Sequence, residues 1–149
     1  MASTRLAEAV GYPGSSVAFA QLLSGMEPNL VEGEFVYCSV PASTLADHIH
    51  LEPVGFFRER EGVTLILPLE TARQARFPTQ PAMRMITLEI HSSLEAVGLT
   101  AAFATALGNE GISANVVAAY YHDHIFVSAG DADRAMAALQ ALSAAQTSL

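Results

Sequence analysis

The chain has 149 residues, 51% of them hydrophobic and 15% charged, with 7 basic side chains against 15 acidic and a net charge of −8. That length and apolar share suffice for one compact domain or two small modules sharing a core. The acidic surplus has no basic cluster to offset it, which disfavours both nucleic acid and anionic membranes as partners.

No stretch approaches the roughly 18 consecutive apolar residues of a membrane helix. The opening segment MASTRLAEAVGYPGSSVAFAQLL is a poor secretory signal, because its apolar part is short and broken by Gly-Tyr-Pro-Gly. A single cysteine, Cys38, leaves no internal disulfide and no cysteine-based metal cage. Together these features predict a cytoplasmic protein.

After a tail over residues 1–15, Ser16 to Pro28 reads as a short helix. Ala18, Leu22 and Leu23 form its stripe, and Gly25 and Pro28 end it. Gly33 to Val40 is rich in Phe, Val and Tyr and predicts a strand. The segment PASTLADHIHLEP suggests a helical turn. Val54 to Pro68 predicts two strands meeting near Glu61-Gly62, and LETARQAR a short helix.

The second half is more regular. Met83 to His91 alternates, with Met85, Thr87 and Glu89 on one side and Ile86, Leu88 and Ile90 on the other, a half-buried strand. Ser92 to Gly111 predicts a helix that buries Val97, Phe103, Ala104 and Leu107, with Gly108 and Gly111 as C-cap signals. ISANVVAAYYHD and HIFVSAG are two strands around a turn near Asp123. Asp131 then caps a final helix, in which Ala132, Ala135, Met136, Leu139 and Leu142 recur at helical spacing. The result is a βαββα unit, one strand short of the ferredoxin-like βαββαβ sandwich.

The two halves are related. EREGVTLILPLETARQAR, from Glu59, aligns without a gap on AYYHDHIFVSAGDADRAM, sixty positions later. Leu65, Ile66 and Leu67 then fall on Ile125, Phe126 and Val127, and Ala72 and Ala75 on Ala132 and Ala135. Two similar units in tandem are predicted, over residues 16–80 and 81–149, the first having lost most of its first helix.

The segment ITLEIHSSLEAVGLTAAFATALGNEGISANVVAAYYHDHIFV, from Ile86 to Val127, resembles an ACT domain. Gly98-Leu99 matches that family's loop after the first strand, and Gly111-Ile112 its turn before the second. The resemblance implies an α+β fold of two tandem ACT-like, ferredoxin-like units with antiparallel sheets. It also implies that the missing last strand comes from elsewhere in the chain. The implied role is regulatory and non-catalytic: binding an amino acid or similar small effector where ACT units meet, with no cofactor and no metal. The residues implied at the site are Ser93, Leu94, Glu95, Ala96, Val97, Gly98 and Leu99, then Asn115 and Val116. The alternative is an interaction module that dimerises without a ligand. Either way a homodimer is expected, since this much Ala, Val and Ile leaves apolar surface to cover.

Each motif has a plain structural reading beside the functional one. Ser92-x-x-Glu95 is a capping box, but the same helix start suits the carboxylate of an amino acid. Gly98 lets a ligand approach the backbone. Asn115 is a poor strand former; it serves a bulge or edge, or it fixes a ligand's polar end. In YYHDHIFV, His122 and His124 could ligate zinc, but a turn at Asp123 is the simpler account. The functional reading of that stretch is a pocket edge, with Asp123 pairing a ligand's amino group and Tyr121 or His122 lining the wall.

Overall fold

The computed structural model describes residues 20–147, apart from Leu22 and residues 90–97. Its strands are β1 (Glu27–Leu30), β2 (Phe35–Val40), β3 (Gly55–Arg58), β4 (Val63–Pro68), β5 (Met83–Glu89), β6 (Asn115–Ala118) and β7 (Asp123–Ser128). The helices are α1 (Leu45–His48), α2 (Leu69–Gln74), α3 (Leu99–Asn109) and α4 (Ala132–Thr147). These elements fall into two compact units. One is Glu32–Met85; the other joins the residues up to Val31 with Ile86 onward.

In the Glu32–Met85 unit, β4 lies between β3 and β2, antiparallel to both. The first residue of β5 extends this sheet, Met83 pairing with Phe35. One side of the sheet forms a core from Val36, Cys38, Val40, Val63, Leu65 and Leu67, closed by Leu45 and Ala72. These strand residues alternate along β2 and β4, so their side chains share a face. Cys38 is one of them, and burial pushes its thiol pKa up, as expected of a small core residue.

The other unit orders its strands β1, β5, β7, β6. Ile86, Leu88, Ile125 and Val127 point from the sheet into a core shared with Phe103, Leu107, Ala135 and Leu139. In α3 the buried positions are Leu99, Ala102, Phe103 and Leu107, one stripe of the helix. Ala104 does not belong to it: one position beyond Phe103, it sits about 100° further round and is exposed.

The missing strand is β1. It pairs antiparallel with β5, from Glu27 opposite Glu89 to Leu30 opposite Ile86. Pro28 is therefore a strand residue opposite Leu88, not the end of a helix. A proline survives there because the path through β5, β7 and β6 leaves β1 at its margin, where a missing N–H costs no ladder bond. The preceding helical segment stops at Gly25, as expected, and its Leu23 joins the core beside Met26. Ser143 of α4 fixes this segment by hydrogen bonding Ser24 O at 3.3 Å and Met26 O at 3.1 Å.

The helix expected from Ser92 has its N-cap at Gly98 and begins at Leu99. Its C-terminus follows the glycine signals. Gly111 is left-handed at φ +71°, Gly111 N donates to Gly108 O at 2.9 Å, and Ile112 N donates to Leu107 O at 3.0 Å. That pair of bonds is a Schellman motif, with Ile112 folded onto the core that holds Leu107.

The sixty-residue repeat is visible in the hairpins. Glu59 N donates to Gly62 O at 2.8 Å, and Ala119 N to His122 O at 3.0 Å. The register is equivalent too: Arg58 faces Val63, and Ala118 faces Asp123. The turn is thus Ala119–His122, with Tyr120-Tyr121 at its tip, and Asp123 opens β7 instead of making the turn. The first copy keeps only one α-helical turn, α1, between two 3-10 segments where the second has α3.

Candidate functional site

Leu94–Val97 and Ser93, with the capping-box residues Ser92 and Glu95, lie outside the described residues. What is described begins at Gly98. This glycine is the N-cap of α3 at φ +91°, ψ −10°, and among the described residues no side chain caps the helix there. The first helical bond is Ala102 N to Gly98 O at 3.0 Å. The N–H groups of Leu99, Thr100 and Ala101 precede it and have no partner within the helix. Leu99 itself turns its side chain into the core, so it can offer a ligand only its backbone.

Asn115 and Val116 open β6 and point to opposite faces. Val116 packs against the core. Asn115 is exposed, opposite Phe126, and its Nδ2 makes a long 3.5 Å hydrogen bond to Phe126 O. That bond satisfies little of an amide's capacity, and the Oδ1 acceptor is left for another group.

The face of the sheet turned away from the helices carries a second set of polar residues. Thr87 on β5 is buried, and its Oγ1 lies 2.9 Å from His124 Nδ1 on β7. The alternation of β5 had placed Thr87 on the polar side; it is buried all the same, on the face without helices. His124 is pushed below the ordinary histidine value of 6.5, first by burial and then by His122, against an opposing pull from Asp123. His122 Nδ1 is buried without a hydrogen-bond partner among the described residues. Asp123 alternates onto the other face with Ile125, so it forms no acid–base pair with His124. Tyr121 is 81% exposed and stands edge-on to Tyr120 with ring centroids 4.9 Å apart.

The sequence had singled out His122 and Asp123 but not the pairing of Thr87 with His124. Register would have revealed it, because the repeat sets His124 over Thr64, and Thr64 faces Ser39 across β2–β4. Gly62 stands where the second unit has His122. A Cβ on Gly62 would lie 2.7 Å from Val40 O, so the first unit has no room there for an imidazole without backbone movement. The histidine cluster is therefore a property of one unit only. Among the described residues, no three His, Cys, Asp or Glu side chains are grouped to hold a metal, and no helix is long and apolar enough to cross a membrane.

Family models for the ACT domain match residues 16–84 and 82–141. The chain belongs to the ACT domain family. Two ACT domains in tandem account for the α+β fold and for the repeat, and ACT domains are regulatory, ligand-binding modules, not catalytic ones. The chain is 48% identical to VC0802 from Vibrio cholerae, whose crystal structure is described as that of a protein of unknown function and possible transport protein; the match covers 85% of this chain and 96% of that one, with a TM-score of 0.78. The regulatory subunit of aspartate kinase from Thermus flavus shares the ACT fold at 10% identity, with a TM-score of 0.58 over 79% of this chain and 96% of that one. Aspartate kinase from Clostridium acetobutylicum does so at 10% identity and a TM-score of 0.61, over 79% of this chain but only 34% of the kinase. Comparison with curated proteins finds no match.

Proposed function

We propose that this ACT protein is a non-catalytic sensor for an amino acid or similar small effector. The observation that carries this reading is the start of α3. A left-handed glycine heads the helix, no side chain among the described residues caps it, and its first N–H groups have no partner within the helix, which suits them to a carboxylate. Ser93 to Leu99 are the residues proposed to meet the effector at this helix start. Asn115 supplies an amide with spare hydrogen-bonding capacity, beside Val116; His122 extends the polar lining on Asn115's face of the sheet toward the hairpin, with Tyr121 at its exposed end, and Asp123 serves a ligand from the opposite face. The aspartate kinase neighbours support a regulatory role through the shared fold. The acting species is proposed to be a homodimer in the cytoplasm.

A thermal-shift screen against the standard amino acids tests the sensor reading. A ligand that binds only the native state raises the melting temperature in proportion to the logarithm of its concentration. If no amino acid or close analogue moves the transition, the sensor reading fails, and the interaction module remains. That second reading is favoured by Phe56 and Phe57, two exposed aromatics on an open strand. Light scattering at micromolar concentrations tests the dimer, which a monomer mass would refute.

A further inference from the structure

The helix-free face of β1, β5 and β7 ends in a block of polar side chains. Thr87 and Glu89 stand on it, since they alternate with the core residues Ile86 and Leu88. Across the ladder, β1 sets Asn29 opposite Thr87 and Glu27 opposite Glu89, on the same face. On the other side β7 is the neighbour of β5, and Thr87 lies against His124. Antiparallel pairing, as between β2 and β4 in the first unit, then brings His122 beside Glu89. Two rows thus cross the three strands: Glu27, Glu89 and His122, then Asn29, Thr87 and His124.

The first row is unsatisfied. Glu27 and Glu89 are exposed, and neither makes an ion pair with a described residue. Carboxylates directly opposite one another across two strands repel, which is destabilising by itself. His122 Nδ1 is buried without a hydrogen-bond partner among the described residues. No cation on these strands offsets the charge: Arg84, the one Arg or Lys of β1, β5, β6 and β7, alternates onto the other face with Ile86. Asp123 also lies on that other face. β6 adds only apolar neighbours here, Val117 opposite His124 and Ala119 beside His122. The block is therefore rich in acceptors and poor in positive charge. The first unit has no counterpart, because Gly62 and Thr64 stand where this unit has His122 and His124.

We propose that this block receives the positively charged end of an effector, a primary ammonium group on an organic stem. This deepens the sensor reading above and rests on it for the ligand's role as an effector. An ammonium has three donors, and the first row offers three acceptors: the carboxylates of Glu27 and Glu89 and the imidazole of His122 when unprotonated. A cation between the two carboxylates turns their repulsion into attraction. Bare metal ions suit the block less. They need ligands at about 2.0–2.6 Å, and the described His, Cys, Asp and Glu side chains are not grouped to supply three. Strands about 4.8 Å apart and rows about 7 Å apart spread the acceptors over a distance that an organic cation can bridge.

Protons compete with such a ligand. Burial, then the neighbouring His122, lowers the His124 pKa below 6.5, against an opposing pull from Asp123. As pH falls below 6.5, a positive charge arrives on His124 in the second row and should weaken the binding of a cation. An anion site built on the same imidazoles would show the reverse.

Thermal-shift titrations of the full chain test this with 1,4-diaminobutane, an ammonium probe without a carboxylate. Butyrate and magnesium chloride serve as the carboxylate and metal counterparts. Above pH 6.5 the diamine should raise the melting temperature saturably, and the other two should not. Glu27→Gln and Glu89→Gln, at exposed positions, should each weaken the diamine by roughly tenfold. Glu110→Gln, an exposed acid outside the block, should leave it unchanged. The block is overturned if the diamine is silent, if magnesium acts as the diamine does, or if Glu110→Gln weakens binding as much as Glu89→Gln. Binding that tightens as pH falls overturns it too. The two readings fail separately. A diamine that binds through Glu27 and Glu89 while no amino acid moves the transition supports the cation site and removes the amino-acid sensor. An amino acid that binds while the diamine is silent supports the sensor and overturns the block.

Discussion

Replacing Thr87 by valine tests whether the partly buried pair of Thr87 and His124 contributes to the stability of the second ACT domain. Valine has nearly the same shape, so packing is preserved while the hydroxyl 2.9 Å from His124 Nδ1 is lost. A hydrogen bond of this kind contributes about 1 kcal/mol net, and a buried ring nitrogen left without a partner costs a further ~1–3 kcal/mol. The methyl that replaces the hydroxyl recovers about 0.8 kcal/mol of burial. The expected net loss is therefore about 1–3 kcal/mol, at the upper end where water cannot reach the nitrogen. Urea denaturation above pH 6.5, the ordinary histidine value, where His124 is neutral, measures it as a lower midpoint with an unchanged slope. A double-mutant cycle with His124→Gln isolates the pair term from the other consequences of each change. If Thr87→Val unfolds at the wild-type midpoint, or if the cycle shows no coupling, the contact is incidental and the argument from burial is wrong.

Three other outcomes follow from the same structure. Because His124 has a folded pKa below its ordinary 6.5, the unfolded chain binds more protons in that window. Stability should then fall as pH drops through 6.5 and level off once the folded state is protonated too; His124→Gln should flatten this step in a pH series of denaturation curves, and an unchanged step would assign it to another group. Gly111→Ala should cost about 1–2 kcal/mol, since an added Cβ meets nothing within 4 Å and only the left-handed backbone, at φ +71°, resists it; a neutral result in urea denaturation would refute the Schellman assignment. Asn115→Ala should weaken effector binding by about 1.5–3 kcal/mol if its amide meets a charged group of the ligand; titration with a thermal-shift hit reads this, and unchanged affinity places the ligand elsewhere. Gly98→Leu is a poor probe of the site, because φ +91° penalises any side chain there before a ligand is considered.

Local pattern determined a large part of this protein. Alternation in β5, helical spacing in α4 and the paired glycines after α3 are short-range signals, and each follows from side-chain direction or backbone freedom at a few neighbouring residues. The repeat was legible for the same reason: identical supersecondary units demand the same apolar phase, so Leu65 to Leu67 and Ile125 to Val127 came into register with few identities. The tertiary structure decided what depends on distant partners. Nothing around Glu27–Leu30 announces a strand, and Pro28 argues against one; only the open side of β5, sixty positions away in the chain, makes it one. Thr87 looked like the polar face of a half-buried strand until it was set beside His124, thirty-seven residues later. Ala104 and Phe103 are both apolar, and only the rotation of α3 on its core chose between them. A strand's partner and a helix's azimuth are set by long-range packing, which a window of neighbouring residues does not contain.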